Sequence, residues 1–113
     1  MSIVRTWSAT ATADGAGAYH RYFAGTLLPQ LRDLPGFAGA YLLSRDTDGV
    51  VELTTHTMWA SLDAVRAFTR TETGTGSESA DDLTASVVEP EAQAMLLDFD
   101  RTVVHREVLV TAG

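Results

Sequence analysis

Apolar and polar side chains alternate along Ile3-Val4-Arg5-Thr6-Trp7-Ser8-Ala9-Thr10, which predicts a first strand over 3–10. Ile3, Arg5 and Trp7 fall on one face; Val4, Thr6 and Ser8 fall on the other. The period then lengthens. Ala16, Tyr19, Phe23, Leu27, Leu31 and Leu34 recur every three or four residues, the stripe of an amphipathic helix over 15–34 with Asp14 placed to cap it. Pro29 lacks the N–H that would bond the carbonyl of Gly25, so the helix should kink or restart there, and Pro35-Gly36 stops it. Phe37 to Arg45 returns to strand spacing, with Phe37, Gly39, Tyr41 and Leu43 on one face. Asp46-Thr47-Asp48-Gly49 then turns the chain into a third strand from Val50. Ser61 can cap a second helix over 62–70 whose Leu62, Val65, Ala67 and Phe68 are apolar. Residues 71–85 are polar and acidic, a flexible loop or lid. A short helix from Glu89-Pro90 to Leu97 and a last strand from Thr102 to Val110 complete the chain.

Strand, helix, strand, strand, helix, short helix, strand is the order of a split βαβ unit. It predicts an α+β, ferredoxin-like fold with a four-stranded antiparallel sheet and helices on one face, in a single domain over 1–113. Both faces of the strands carry apolar residues, so the face without helices needs a partner. A second copy of the sheet, making a homodimer, is the simplest one.

Composition narrows the chemistry. The chain has 113 residues, a net charge of -7 and no Cys, Lys or Asn. Without Cys or Lys there is no thiolate nucleophile, disulfide, thiolate-bound metal or Schiff base. Eight scattered Arg on an acidic chain do not make a phosphate-binding surface, so nucleic acid is not an expected partner. No apolar run is long enough for a membrane span, and no secretory leader is expected before the Ile3–Trp7 strand, which places the protein in the cytoplasm. Three His without ligand spacing give no metal site, and no Gly-rich loop follows the first strand, so no metal or nucleotide cofactor is expected.

The third strand holds a conflict. Thr54-Thr55-His56-Thr57 is a polar run where a central strand should be apolar, directly before Trp59 and the Ser61 cap. Such a run marks a polar patch in a core wall. Trp59 can stack on a flat ligand or fill core volume, and His56 can act as a general base or sit hydrogen-bonded in the core. His105 and Glu107, two apart on one strand, share a face, so the carboxylate can orient the imidazole.

Arg5-x-Trp7, Tyr19-x-x-Tyr22, Leu34-Pro35-Gly36-Phe37, Trp59-x-Ser61 and Val104-His105-Arg106-Glu107-Val108 together resemble the antibiotic biosynthesis monooxygenase family over nearly the whole chain. The resemblance implies a dimeric α/β barrel of ferredoxin-like halves. It also implies oxidation of polycyclic anthrones to quinones without metal or flavin, using a Trp at the position of Trp59 and an Asn four residues earlier. That earlier position is Thr55 here. Haem-degrading relatives use an Asn on the first strand and a His on a later helix; this chain has neither, which sets that activity aside.

The expectation is therefore a cofactor-independent monooxygenase acting with O₂ on an aromatic polyketide-type substrate. Trp59 and either His56 or His105 are the expected catalytic residues, with Arg5, Trp7, Tyr19, Tyr41 and Thr55 contacting the substrate. A cyclase, isomerase or lyase using the same pocket, or a non-catalytic ligand-binding barrel, are the alternatives.

Overall fold

The computed structural model describes residues 2–73 and 84–112. Its strands are β1 (Ile3–Ala11), β2 (Phe37–Thr47), β3 (Val50–Trp59), β4 (Asp98–Phe99) and β5 (Val104–Glu107). Its helices are α1 (Ala13–Tyr22), α2 (Leu28–Arg32), α3 (Leu62–Thr73) and α4 (Pro90–Gln93). The sheet runs β2-β3-β1, with β4 and β5 both antiparallel to β1, which is the expected ferredoxin-like arrangement.

Every odd residue of β1 from Ile3 to Ala11 is buried and every even one from Val4 to Thr10 is half-buried, so the strand has one core face. The buried face meets two clusters. Trp7, Ala9, Ala11 and Leu53 pack with Tyr19, Tyr22, Phe23 and Ala92, while Trp59 packs with Leu31, Ala64 and Val65. All four described α-helices therefore contribute to one side of the sheet. No described helix is long and apolar enough to cross a membrane.

Several local expectations shift. Thr12, rather than Asp14, caps α1, its hydroxyl accepting from the Gly15 amide at 3.1 Å. The break at Pro29 takes the form of a π-helical turn over Phe23–Leu27, after which the Leu28 N–H donates to the carbonyl of Phe23. The Ser61 cap is present, with Ala64 N–H donating to Ser61 Oγ at 3.2 Å, but the helix runs on to Thr73. The segment foreseen as a loop over 71–85 thus begins inside α3. Its 74–83 part lies outside the described residues, and Ala85 bridges Thr102.

Two corrections bear on the site. A bulge between Phe37 and Gly39 inserts one residue, so Phe37 pairs with Trp59 on the core face whereas Gly39, Tyr41 and Leu43 sit on the opposite face. The last strand is not continuous over 102–110. Asp100 still donates its N–H to the Ser8 carbonyl of β1, but residues 101–103 turn to the 84–86 segment, with Ser86 N–H donating to the Arg101 carbonyl and Val103 N–H to that of Thr84. The hairpin is as read: Asp48 and Gly49 both have positive φ and close a two-residue turn between Thr47 and Val50.

Gly36 marks the close approach of the β2 entry to α3. Its φ is +83°, and an added Cβ would lie 2.5 Å from the Ala64 Cβ. Gly36→Ala is expected to destabilise the fold by more than the ~1 kcal/mol of a left-handed alanine, because the methyl group also clashes. A urea midpoint equal to wild type would contradict this.

Candidate functional site

A cavity opens between the core face of the sheet and the helices. Arg5 and Trp7 of β1, Thr55 and Thr57 of β3 and Val103 form its floor. Tyr19, Tyr22, Phe23, Leu27 and Leu31 of the first helical segment and Phe68 of α3 form its walls, and Val87, Val88, Glu89 and Ala92 cover it. The register explains the floor: Arg5 pairs with Thr57 and Trp7 with Thr55, so four core-face side chains lie side by side.

Arg5 is only 4% exposed. Burial lowers its pKa to about 10, which still leaves it cationic at neutral pH. It donates from Nη1 to His105 Nε2 and from Nη2 to the Ala85 carbonyl, both at 3.0 Å, and lies over the Phe68 ring. The first bond requires His105 to carry its neutral proton on Nδ1. Trp7 donates its indole N–H to the Asp100 carbonyl at 3.2 Å and contacts the rings of Tyr19 and Phe99. Burial, followed by the neighbouring Tyr22, raises the pKa of Tyr19, so its phenol stays protonated.

Trp59 is 0% exposed and lies behind the cavity floor rather than in its lining. It stacks on Phe68, meets Phe37 edge-on, both at 5.3 Å, and donates Nε1–H to Thr57 Oγ1 at 2.9 Å. Direct stacking of a substrate on this indole is therefore blocked by its own neighbours. His56 requires a further correction. It is adjacent to Thr55 and Thr57 in sequence, so strand alternation turns it to the other face of the sheet, in register with Thr6 and Tyr41. Neither His56 nor Tyr41 belongs to this cavity, and Tyr41 is 59% exposed. His105 also stays out of the lining and touches it through Arg5.

Of the residues singled out from sequence, the structure brings Arg5, Trp7, Tyr19 and Thr55 together. Thr57, Tyr22, Phe23 and Phe68 join them unannounced, although two-residue spacing from Thr55 was signal enough for Thr57. Among the described residues no group of three or more His, Cys, Asp and Glu side chains is placed to hold a metal ion. The cavity volume is about 60 Å³. A hole of about 150 Å³ holds benzene, so the space as it stands is smaller than an enclosed aromatic ligand needs.

The burial of His105 and the nearby Arg5 charge hold its pKa below the ordinary 6.5. As pH falls, the unfolded chain takes this proton first, so stability is full above about pH 6.5 and declines below it until the folded state also protonates. Protonation also removes the acceptor for Arg5. The wild type is expected to lose stability between about pH 7 and pH 5 relative to His105→Gln; parallel urea midpoints across that range would exclude the effect.

No family model matches the chain, and no curated protein sequence matches it. Solved structures do. A mutant form of SnoaB, a cofactor-independent oxygenase from Streptomyces nogalater, matches at TM-score 0.60 and 19% identity, over 97% of this chain and 95% of that one. The heme-degrading protein Rv3592 from Mycobacterium tuberculosis matches at TM-score 0.62 and 19% identity over 100% of both chains. A dimeric ferredoxin-like protein from an uncultured marine organism matches at TM-score 0.63 and 8% identity, over 99% of this chain and 100% of that one. What sequence order first suggested, three-dimensional likeness supports at the level of fold: the chain has the ferredoxin-like fold of the antibiotic biosynthesis monooxygenase structures.

Proposed function

We propose that the chain is a cofactor-independent monooxygenase of aromatic, polyketide-type substrates. The observation that carries this reading is the cavity, whose lining joins the rings of Trp7, Tyr19, Tyr22, Phe23 and Phe68 with Arg5, the guanidinium lying over the Phe68 ring. Aromatic walls favour a flat ring system, and a cation in a low-dielectric wall favours the deprotonated form of an acidic CH₂ or phenol. The likeness to SnoaB agrees with it.

The acidic CH₂ would lose a proton to water, the carbanion would donate to O₂ and form a C–O bond, and the peroxide anion would take a proton back from water to give a hydroperoxide. Loss of water then leaves a carbonyl, so one oxygen atom ends in product and the other in water. The substrate supplies all the electrons, and the balance needs no other reductant. His105 would act through Arg5, since their hydrogen bond joins it to the cavity. We also assign the exposed sheet face bearing Tyr41, Leu43, His56, Met58 and Val104 to a homodimer contact, in keeping with the dimeric structural neighbour.

Thr55, standing where an amide would be expected, favours a second reading, acid–base turnover by a cyclase or isomerase. Oxygen separates the two. A panel of anthrones should give stoichiometric O₂ uptake and quinone absorbance in air and no conversion under argon. Conversion under argon would assign the cyclase or isomerase reading, and inactivity across the panel would count against both. Arg5→Met is expected to lower kcat/KM by about tenfold to a hundredfold, the scale of one hydrogen bond to a charged group; unchanged turnover would remove Arg5 from the site.

A further inference from the structure

The cavity floor carries hydroxyl groups whose protons point to a particular kind of ligand. Thr57 Oγ1 accepts the Trp59 indole N–H, which orients the hydroxyl, and its own proton meets no acceptor among the described residues. Thr55 is 7% exposed, yet its hydroxyl bonds no described residue and no buried side-chain oxygen is left orphaned among the described residues, so this oxygen faces the cavity. Arg5 is the cross-strand neighbour of Thr57 on the same face, its guanidinium fixed by His105 and Ala85. Two hydroxyl donors and a cation thus occupy adjacent positions beneath aromatic walls.

We infer that Arg5, Thr55 and Thr57 form a subsite for one anionic oxygen of an aromatic ligand, a phenolate or enolate, and that Trp59 is a positioning residue acting through Thr57. The oxygenase reading is needed here only for what happens to that anion afterwards. Donors oriented before the ligand arrives stabilise a developing oxyanion without reorganising when it forms. The proton leaves to water. Among the described residues, the other titratable groups at the cavity, besides the Tyr19 and Tyr22 phenols, are His105, behind Arg5, and Glu89 in the cover. This assignment gives the buried Trp59 a chemical part without requiring it to touch substrate: its N–H occupies a lone pair of Thr57 Oγ1 and so leaves the Thr57 proton for the ligand.

The test uses 4-nitrophenol, whose phenolate has a visible absorption band, titrated with pH in the presence of saturating protein. The bound phenol is expected to ionise about one unit lower than the free one, a tenfold preference for the anion. Thr57→Val and Arg5→Met should each abolish most of that shift, Thr57→Ser should restore it, and Trp59→Phe, which keeps the ring and loses the N–H, should reduce it. Circular dichroism confirms that each variant is folded before it is read. Absence of binding, an unshifted phenol, or a Thr57→Val protein that behaves as wild type would overturn the subsite. Oxygen uptake with anthrones is scored separately. A shifted phenol without oxygen uptake leaves the subsite standing and defeats the oxygenase reading; uptake with an unshifted phenol does the reverse.

Discussion

Trp59→Ala is expected to cost about 3–5 kcal/mol of folding stability, the range for removing a buried Trp side chain. Trp59 is completely enclosed, ringed by Phe37, Phe68, Leu31, Ala64 and Val65, and it joins the end of β3 to both α2 and α3. Rings at edge-on and stacked distances add roughly 0.5–1.5 kcal/mol beyond buried area, so the loss falls toward the upper end of that range. Since a domain of this size is stable by about 5–15 kcal/mol, the variant loses a third or more of its margin. Trp59→Phe retains most of the ring contact and should lose far less. Urea unfolding of the two proteins provides the measurement: a Trp59→Ala midpoint close to that of Trp59→Phe would show that the indole does not hold these elements together. This is why turnover of Trp59→Ala alone says little about catalysis, and why the ionisation of a bound phenol in Trp59→Phe is the better probe of the indole N–H.

Where local periodicity and turn chemistry act alone, the sequence was enough to place the elements. The alternation of Ile3 to Thr10 puts Arg5 and Trp7 on the core face, and Asp48-Gly49 and Ser61 make the turn and the cap expected of them. Long-range pairing decides the rest. The bulge at Phe37–Gly39 puts Phe37 and Tyr41, which share a face by simple alternation, on opposite faces, and nothing in the apolar pattern counts the extra residue. The last strand breaks where 101–103 pair with Thr84, Ala85 and Ser86 instead of β1, a pairing with a stretch that carries no strand signal. For the candidate site, the polar run of β3 reads as one feature in the sequence but holds two surfaces. Thr55 and Thr57 line the cavity, while His56 between them faces away. The two-residue period of a strand separates them without any structure. What it cannot supply is the link from Trp59 to Thr57, which depends on side-chain rotamers.

The opposite face of the sheet yields the other large effect. Tyr41, Leu43 and Val104 are exposed there in the single chain, at 59%, 44% and 49%, around the half-buried Val4, His56 and Met58. The register sets Tyr41, His56, Thr6 and Val104 in one row across β2, β3, β1 and β5, so the row crosses the whole sheet. Charges placed in such a row are cheap in a monomer, where water reaches them, and expensive between two sheets, where each would be desolvated without a counter-charge. The double variant Tyr41→Glu with Val104→Glu is therefore expected to raise the dimer dissociation constant by about a hundredfold or more, following the roughly 2–5 kcal/mol of an unpaired interfacial charge. Its unfolding at concentrations where the wild type is also monomeric should change by less than ~1 kcal/mol. Sedimentation velocity over a dilution series reads the first and urea the second. A double variant that sediments as wild type would remove this face as the site of the proposed dimer. A variant that is monomeric but keeps the wild-type phenol shift would show that each cavity works within one chain, in keeping with its place on the helix-covered side of the sheet, away from Tyr41 and Val104.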